Sequence, residues 1–154
     1  MLDNNLIEVE NFLPDDLVNS LVEFSQGDVP WETKESQKQL SRREINFILD
    51  TPIETAHNWF KNMPLFSHLN FMGIALWQDD LDFWMSDHID NDQVKVAIQI
   101  YLDNRLSPGT SFGKREIEYA RNRGYIMFNG PDMLHGVPDR TPHEGRLSIY
   151  ALYE

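Results

Sequence analysis

Two histidines and one carboxylate stand where a chain can bring them onto one metal: His88-Ile89-Asp90, then His135 45 residues after the aspartate. In an extended strand, residues i and i+2 point to the same side and lie about 6–7 Å apart. His88 and Asp90 can therefore converge while Ile89 turns the other way, and His135 closes the triangle from a second strand or turn. Two imidazoles and a carboxylate on one face of a divalent metal leave adjacent positions open, an arrangement suited to Fe(II) chemistry with dioxygen. Arg146, further on, offers a guanidinium to an anionic co-substrate. The same three ligands also suit Zn²⁺ with an open water position. A zinc hydrolase and a non-catalytic metal- or ligand-binding barrel therefore stand beside the oxygenase reading.

The elements that position these residues are helices first and strands after. Pro14 to Gln26 predicts a helix, with Asp15 and Asp16 in its first turn and Leu17, Val18, Leu21 and Val22 on one face before Gly27. Thr51, Pro52 and Glu54 predict a second start with a capping box, and Ile53, Ala56, Trp59 and Phe60 supply its buried stripe. Strands are expected at Glu44–Leu49, Phe71–Trp77, Phe83–Ile89, Val94–Leu102, Arg115–Tyr119, Tyr125–Phe128 and Arg146–Tyr153. On the fourth of these, Val94, Val96, Ile98, Ile100 and Leu102 form one apolar face, while Lys95, Ala97, Gln99 and Tyr101 form the other. The last repeats the design, with Arg146, Ser148 and Tyr150 opposite Leu147, Ile149 and Ala151. Polar groups there need either solvent or a polar pocket inside a barrel. The pattern predicts one domain over residues 1–154: an α+β, mainly β, jelly-roll-like barrel with N-terminal helices packed on one sheet.

Composition narrows the classes. Acidic residues outnumber basic ones 25 to 13, for a net charge of −12. Such a field repels phosphates, so nucleic acid and anionic membranes are not expected partners. There is no cysteine, which leaves only N/O ligands for a metal. Met1 to Glu10 shows no basic n-region and no apolar run is long enough to span a bilayer, so a cytoplasmic protein is expected.

Several fragments in order carry a resemblance to a known family. They are His88-Ile89-Asp90-Asn91, Ile100-Tyr101-Leu102-Asp103, Gly109-Thr110-Ser111-Phe112, Gly124-Tyr125-Ile126-Met127-Phe128-Asn129, His135-Gly136-Val137 and Arg146-Leu147-Ser148-Ile149-Tyr150. Together they resemble the 2-oxoglutarate/Fe(II)-dependent dioxygenases, of the small prolyl-4-hydroxylase-like kind, over about Phe71 to the C-terminus. Asn11-Phe12-Leu13-Pro14 is also similar to the segment that leads into that family's domain. The resemblance implies a double-stranded β-helix, with Fe(II) held by His88, Asp90 and His135. It implies that Arg146, with Tyr101 and Ser148, holds the distal carboxylate of 2-oxoglutarate, and that Gln99 and Trp77 line the pocket. It further implies O₂ as co-substrate, succinate and CO₂ as products, and hydroxylation of a prolyl residue in a peptide or protein. A free amino acid or other small molecule is the rival substrate. Arg146 in place of lysine is similar to the arginine-using branch, and Asp90 sets the chain apart from the related halogenases, which leave that ligand position free.

Other residues carry less weight. Gly27 to Arg43 is a polar loop or a lid over the site, and Arg42 and Arg43 read as edge charges. His57 and His68 read as structural or solvated, Trp84 as core, and Arg140 as a loop residue that competes with Arg146 as an anchor. His143 lengthens the His135-to-Arg146 interval. Lys114, Arg115, Arg121 and Arg123 read as a solvated turn, with contact to an acidic substrate as the alternative.

Overall fold

Two antiparallel sheets face each other in the computed structural model, which describes residues 2–33 and 42–154. A helical turn α1 (Leu2–Asn5) leads into β1 (Leu6–Glu10), α2 (Asp15–Gln26) and β2 (Glu32–Thr33). Then come β3 (Arg42–Asn46), α3 (Pro52–Lys61), β4 (Phe71–Asp79), β5 (Met85–His88) and β6 (Val96–Tyr101). The chain finishes through β7 (Thr110–Phe112), β8 (Arg115–Ile117), β9 (Arg123–Phe128), β10 (His135–Val137) and β11 (Arg146–Tyr153). The large sheet runs β1-β9-β6-β11-β4-β3-β2 and the small one β5-β10-β7-β8. This is the expected double-stranded β-helix, with helices on one sheet.

The two-faced strands explain the layering. Ile98, Ile100, Leu147, Ile149 and Leu76 point outward from the large sheet, where Leu17, Val18 and Leu21 of α2 and Ile53, Ala56 and Phe60 of α3 cover them. The other face looks into the barrel, where Ala97, Tyr101, Tyr125 and Met127 meet Phe112, Ile117 and Met133 from the small-sheet side. Every residue of β6 is buried. The polar side of that strand is therefore the lining of a pocket, not a solvated surface.

Some local expectations fail for identifiable reasons. Trp59 is exposed, because 53, 56 and 60 share one helix face and 59 falls off it. The capping box does not close: Thr51 Oγ1 donates to Ile48 O, and Glu54 Oε1 instead accepts from Asp50 N–H. Leu6–Glu10 forms an edge strand against β9, and Thr110–Phe112 and His135–Val137 form short strands that only tertiary pairing reveals. The stretch Gly27 to Arg43 is not all loop, since it contains β2 and the start of β3, and Arg42 is a buried strand residue rather than an edge charge. Residues 34–41, eight of the seventeen in that stretch and in the expected lid, lie outside the described residues. Among the described residues no helix is long and apolar enough to cross a membrane.

One buried asparagine joins the N-terminal segment to the barrel. Asn122 Nδ2 donates to Leu13 O at 2.8 Å, its Oδ1 accepts from Leu13 N–H at 2.9 Å, and its own N–H donates to Tyr101 O at 2.7 Å. It also holds φ at 60°, a left-handed conformation that asparagine tolerates better than most residues. Asn122→Ala leaves two buried backbone groups of Leu13 without partners, so a stability loss of about 2–4 kcal/mol is expected. The check is the urea midpoint, which should fall with the slope of the transition unchanged.

Candidate metal centre and its cavity

His88 ends β5, Asp90 follows it, and His135 opens β10, directly opposite His88 in the antiparallel register. Pairing of the two strands thus brings residues far apart in sequence to one point. His88 Nε2 lies 3.4 Å from Asp90 Oδ1, His135 Nε2 lies 3.5 Å from the same oxygen, and ligand atoms of all three fall within 4.8 Å of one another. The tautomers follow from the backbone. His88 Nδ1–H donates to Ser86 O at 3.1 Å and His135 Nδ1–H to Met133 O at 2.8 Å. Each neutral ring therefore presents a bare Nε2 lone pair to the carboxylate. Three acceptors converging without a donor between them require a cation, either protons or a metal ion, and the backbone bonds to Nδ1 are the outer-shell contacts a metal-binding histidine uses.

The titration of the group carries the same signature. When protons supply that cation, burial opposes ionisation of Asp90, but the hydrogen bonds and charge of His135 and His88 outweigh it and hold the carboxyl far below the usual carboxylate range. The hydrogen bond to Asp90 in turn raises His88 above the ordinary histidine value. Tyr150 Oη donates to the second Asp90 oxygen at 3.4 Å, and burial, with Asp90 nearby, pushes this phenol well up so that it stays a donor.

The centre opens into a cavity of about 430 Å³ along the inner face of the large sheet. Its wall is a lattice of rows set by strand register. The deepest row is Arg42–Asp79–Arg146 across β3, β4 and β11, and the next is Glu44–Trp77–Ser148–Tyr101. The third is Asn46–Ala75–Tyr150–Gln99–Tyr125. Trp77 stacks on Tyr150 with centroids 4.1 Å apart, giving the cavity one flat aromatic wall.

Arg146 is 1% exposed. Its Nη1 donates to Asp79 Oδ2 at 2.8 Å, Nε to Pro108 O at 2.9 Å, and Nη2 to Gly109 O at 3.4 Å and Thr110 Oγ1 at 3.3 Å. Gly109 is required here, because a Cβ would meet Ile117 O at 1.7 Å. Burial works to discharge Arg146, but Asp79, together with Tyr101, Tyr119 and Tyr125, outweighs it and holds the guanidinium charged.

The expected site residues divide by position. His88, Asp90, His135, Arg146, Gln99 and Trp77 line the cavity. Tyr101 and Ser148 face the same side but stand one layer back: Tyr101 Oη lies 2.7 Å from Thr110 Oγ1, and Ser148 Oγ accepts from Gln99 Nε2 at 2.9 Å. They reach the cavity through Thr110 and Gln99. Arg140 pairs with Glu116 on the surface, away from this wall. His143 is a structural anchor, with Nδ1 accepting from Gly145 N–H and Nε2–H donating to Phe83 O. Arg121 pairs with Asp15, and Arg123 with Glu10 and Glu118. Arg42, Asp79, Thr110 and Tyr125 were not picked out as site residues from the sequence. Thr110 and Tyr125 lay within the family-like fragments, and Asp79 carried a weaker signal, a charge at the end of a mainly apolar strand.

No family profile matches the chain, and no curated protein matches it in sequence. Solved structures do match. A prolyl-4-hydroxylase from Pseudomonas putida superposes with a TM-score of 0.75 at 17% identity, covering 99% of this chain and 94% of that one. A prolyl hydroxylase from Trichoplax adhaerens, solved with a hypoxia inducible factor oxygen degradation domain peptide fragment, gives 0.72 at 13% identity, with 97% and 83% covered. HygX from Streptomyces hygroscopicus, with nickel, 2-oxoglutarate and hygromycin B bound, gives 0.71 at 9% identity, with 99% and 84% covered. At these identities the likeness establishes the shared fold.

Removing one of the three converging acceptors tests the metal centre directly. His135→Ala should weaken binding of Mn(II) by about a hundredfold or more, read by calorimetry on the full chain. Equal affinity in the two proteins would mean that the metal binds elsewhere.

Proposed function

We propose that this protein is a 2-oxoglutarate- and Fe(II)-dependent dioxygenase. The observation that carries the reading is one cavity with three cation-demanding acceptors, His88, Asp90 and His135, on one wall and a charged, buried arginine deep in the other. In this reading the triad holds Fe(II), and the distal carboxylate of 2-oxoglutarate reaches Arg146 and Thr110, with Tyr101, Gln99 and Ser148 fixing Thr110 from behind. When bound, Fe(II) and 2-oxoglutarate supply the oxidation: O₂ is consumed, the 2-oxo acid becomes succinate and CO₂, and one oxygen atom enters a substrate C–H. The chain's own part is positional. Asp79 keeps Arg146 charged, the backbone carbonyls of Ser86 and Met133 aim the two histidines, and Trp77 and Tyr150 shield the space between metal and anchor from water.

For the substrate we infer a prolyl residue in a peptide. The support is the sequence resemblance, the two prolyl hydroxylases of the same fold, and an aromatic wall on which a pyrrolidine ring can lie. The hygromycin B complex in the same fold favours a small molecule as the second reading. The absence of cysteine fits a reducing, cytoplasmic setting, where the acidic surface serves solubility.

Anaerobic addition of Fe(II) and then 2-oxoglutarate should produce a visible charge-transfer band, absent in His135→Ala. Arg146→Leu should require about thirtyfold more 2-oxoglutarate to reach the same intensity, the cost of losing one partner of a buried charge-assisted contact. A bound metal with no band at any 2-oxoglutarate concentration would sink the proposal. Prolyl peptides that stimulate succinate release would establish the substrate class, and stimulation only by small molecules would overturn it.

A further inference from the structure

The buried row Arg42–Asp79–Arg146 holds two guanidinium groups and one carboxylate, a net charge of +1 taken out of water. Arg42 Nε donates to Asp79 Oδ1 at 2.6 Å and its Nη2 to Asp79 Oδ2 at 3.0 Å, while Arg146 takes the same Oδ2 at 2.8 Å. Asp79 is fully buried, and Arg42 is 4% exposed. Glu44 lines the cavity one row away, where its carboxylate accepts from Trp77 Nε1 at 3.3 Å. An isolated buried charge is costly unless something of opposite sign completes the set.

The geometry identifies where the missing charge belongs. Arg42 lies over Trp77, its Cζ 3.8 Å from the ring centroid, and 4.5 Å from that of Phe83. These contacts, with the two-point bond to Asp79, fix the plane of the group. Its Nη1 has no hydrogen-bond partner among the described residues, and Arg42 lines the cavity. Arg146, by contrast, has spent Nε, one Nη1 hydrogen and Nη2 on the protein. Arg146 keeps one Nη1 hydrogen, and Arg42 beside it across Asp79 keeps both hydrogens of Nη1 and the second of Nη2, so the row can offer a carboxylate donors from both arginines.

We propose that Arg42 is the second arginine of the co-substrate anchor, so that one carboxylate is held jointly by Arg42 and Arg146 across Asp79. This rests on the 2-oxoglutarate reading above. The bound carboxylate brings the row to neutrality and is the fourth member of an alternating Arg–Asp–Arg–carboxylate set. Two arginines on one carboxylate make the pocket select strongly for a dicarboxylic 2-oxo acid over one that lacks the distal group.

The test is calorimetric, on the Mn(II)-loaded full chain without oxygen, using 2-oxoglutarate and 2-oxobutyrate, which keeps the chelating end and lacks the distal carboxylate. The readout is the ratio of their affinities. Arg42→Gln should reduce that ratio by about tenfold or more, the loss of one hydrogen bond between charged groups, with 2-oxobutyrate affinity little changed. A structural role would weaken both ligands together, leave the ratio at its wild-type value, and overturn the assignment. If Arg42→Gln does not fold, the double variant Arg42→Met with Asp79→Asn keeps the row at +1 and leaves no unpaired buried carboxylate. It should show the same fall, and a retained ratio there overturns the assignment equally. A wild-type protein that binds Mn(II) but shows no preference for 2-oxoglutarate removes the co-substrate reading itself and this inference with it.

Discussion

A buried carboxylate shared by two arginines is the constraint around which the site side of the barrel is organised. Asp79 sits at the end of β4 with Arg42 beside it on β3 and Arg146 beside it on β11, so three strands must keep one register for the charges to meet. Removing one member of such a set generally costs about 3–5 kcal/mol, because the remaining charges stay buried without compensation. A one-residue slip of any one of these strands would turn its charged side chain toward the apolar layer under the helices. The same register then lays out the rows above it, which carry Trp77, Tyr150 and Gln99 along the cavity wall.

The opposite wall solves a different problem. His88, Asp90 and His135 are three acceptors with no donor among them, and short strands are enough to hold them because each histidine is tethered at Nδ1 by a carbonyl two residues before it. Burial opposes the ionisation of Asp90, and protons shared with the two histidines offset it, so the carboxylate stays ionised and a metal ion can take the protons' place. The cavity thus runs from a place that demands a cation to a row in which two guanidinium groups share one carboxylate. That polarity matches a metal at one end and an anion at the other, and it is oriented by the fold before any ligand enters.

Between the two ends, hydrogen-bonded side chains replace solvent. Tyr125 Oη donates to Gln99 Oε1, Gln99 Nε2 donates to Ser148 Oγ, and Thr110 joins Gln99, Tyr101 and Arg146. Burial raises the phenols of Tyr101 and Tyr125, so both remain protonated donors in this network. A polar chain inside a barrel is stable only when each member has a partner. That requirement explains why polar residues alternate with apolar ones on β6 and β11, whose other faces lie in the apolar core.

Much of this was legible in the linear sequence. The alternation on Val94–Leu102 and Arg146–Tyr153 determined a two-faced sheet, the helix stripes determined which layer covers it, and His-x-Asp with a distant histidine named the residues able to share a metal. These are properties of period and residue type, which a sequence states outright. The row Arg42–Asp79–Arg146 was not legible, because its members are far apart in the chain and meet only through cross-strand register. For the same reason Arg42 looked like a surface charge, and Tyr101 and Ser148 could not be seen to act from behind Thr110 and Gln99. The sequence by itself determined which side chains could do chemistry. Tertiary pairing decided which of them share a cavity, which stand behind it, and where the buried charges meet, since distance and burial are set by strands that find each other only in the folded molecule.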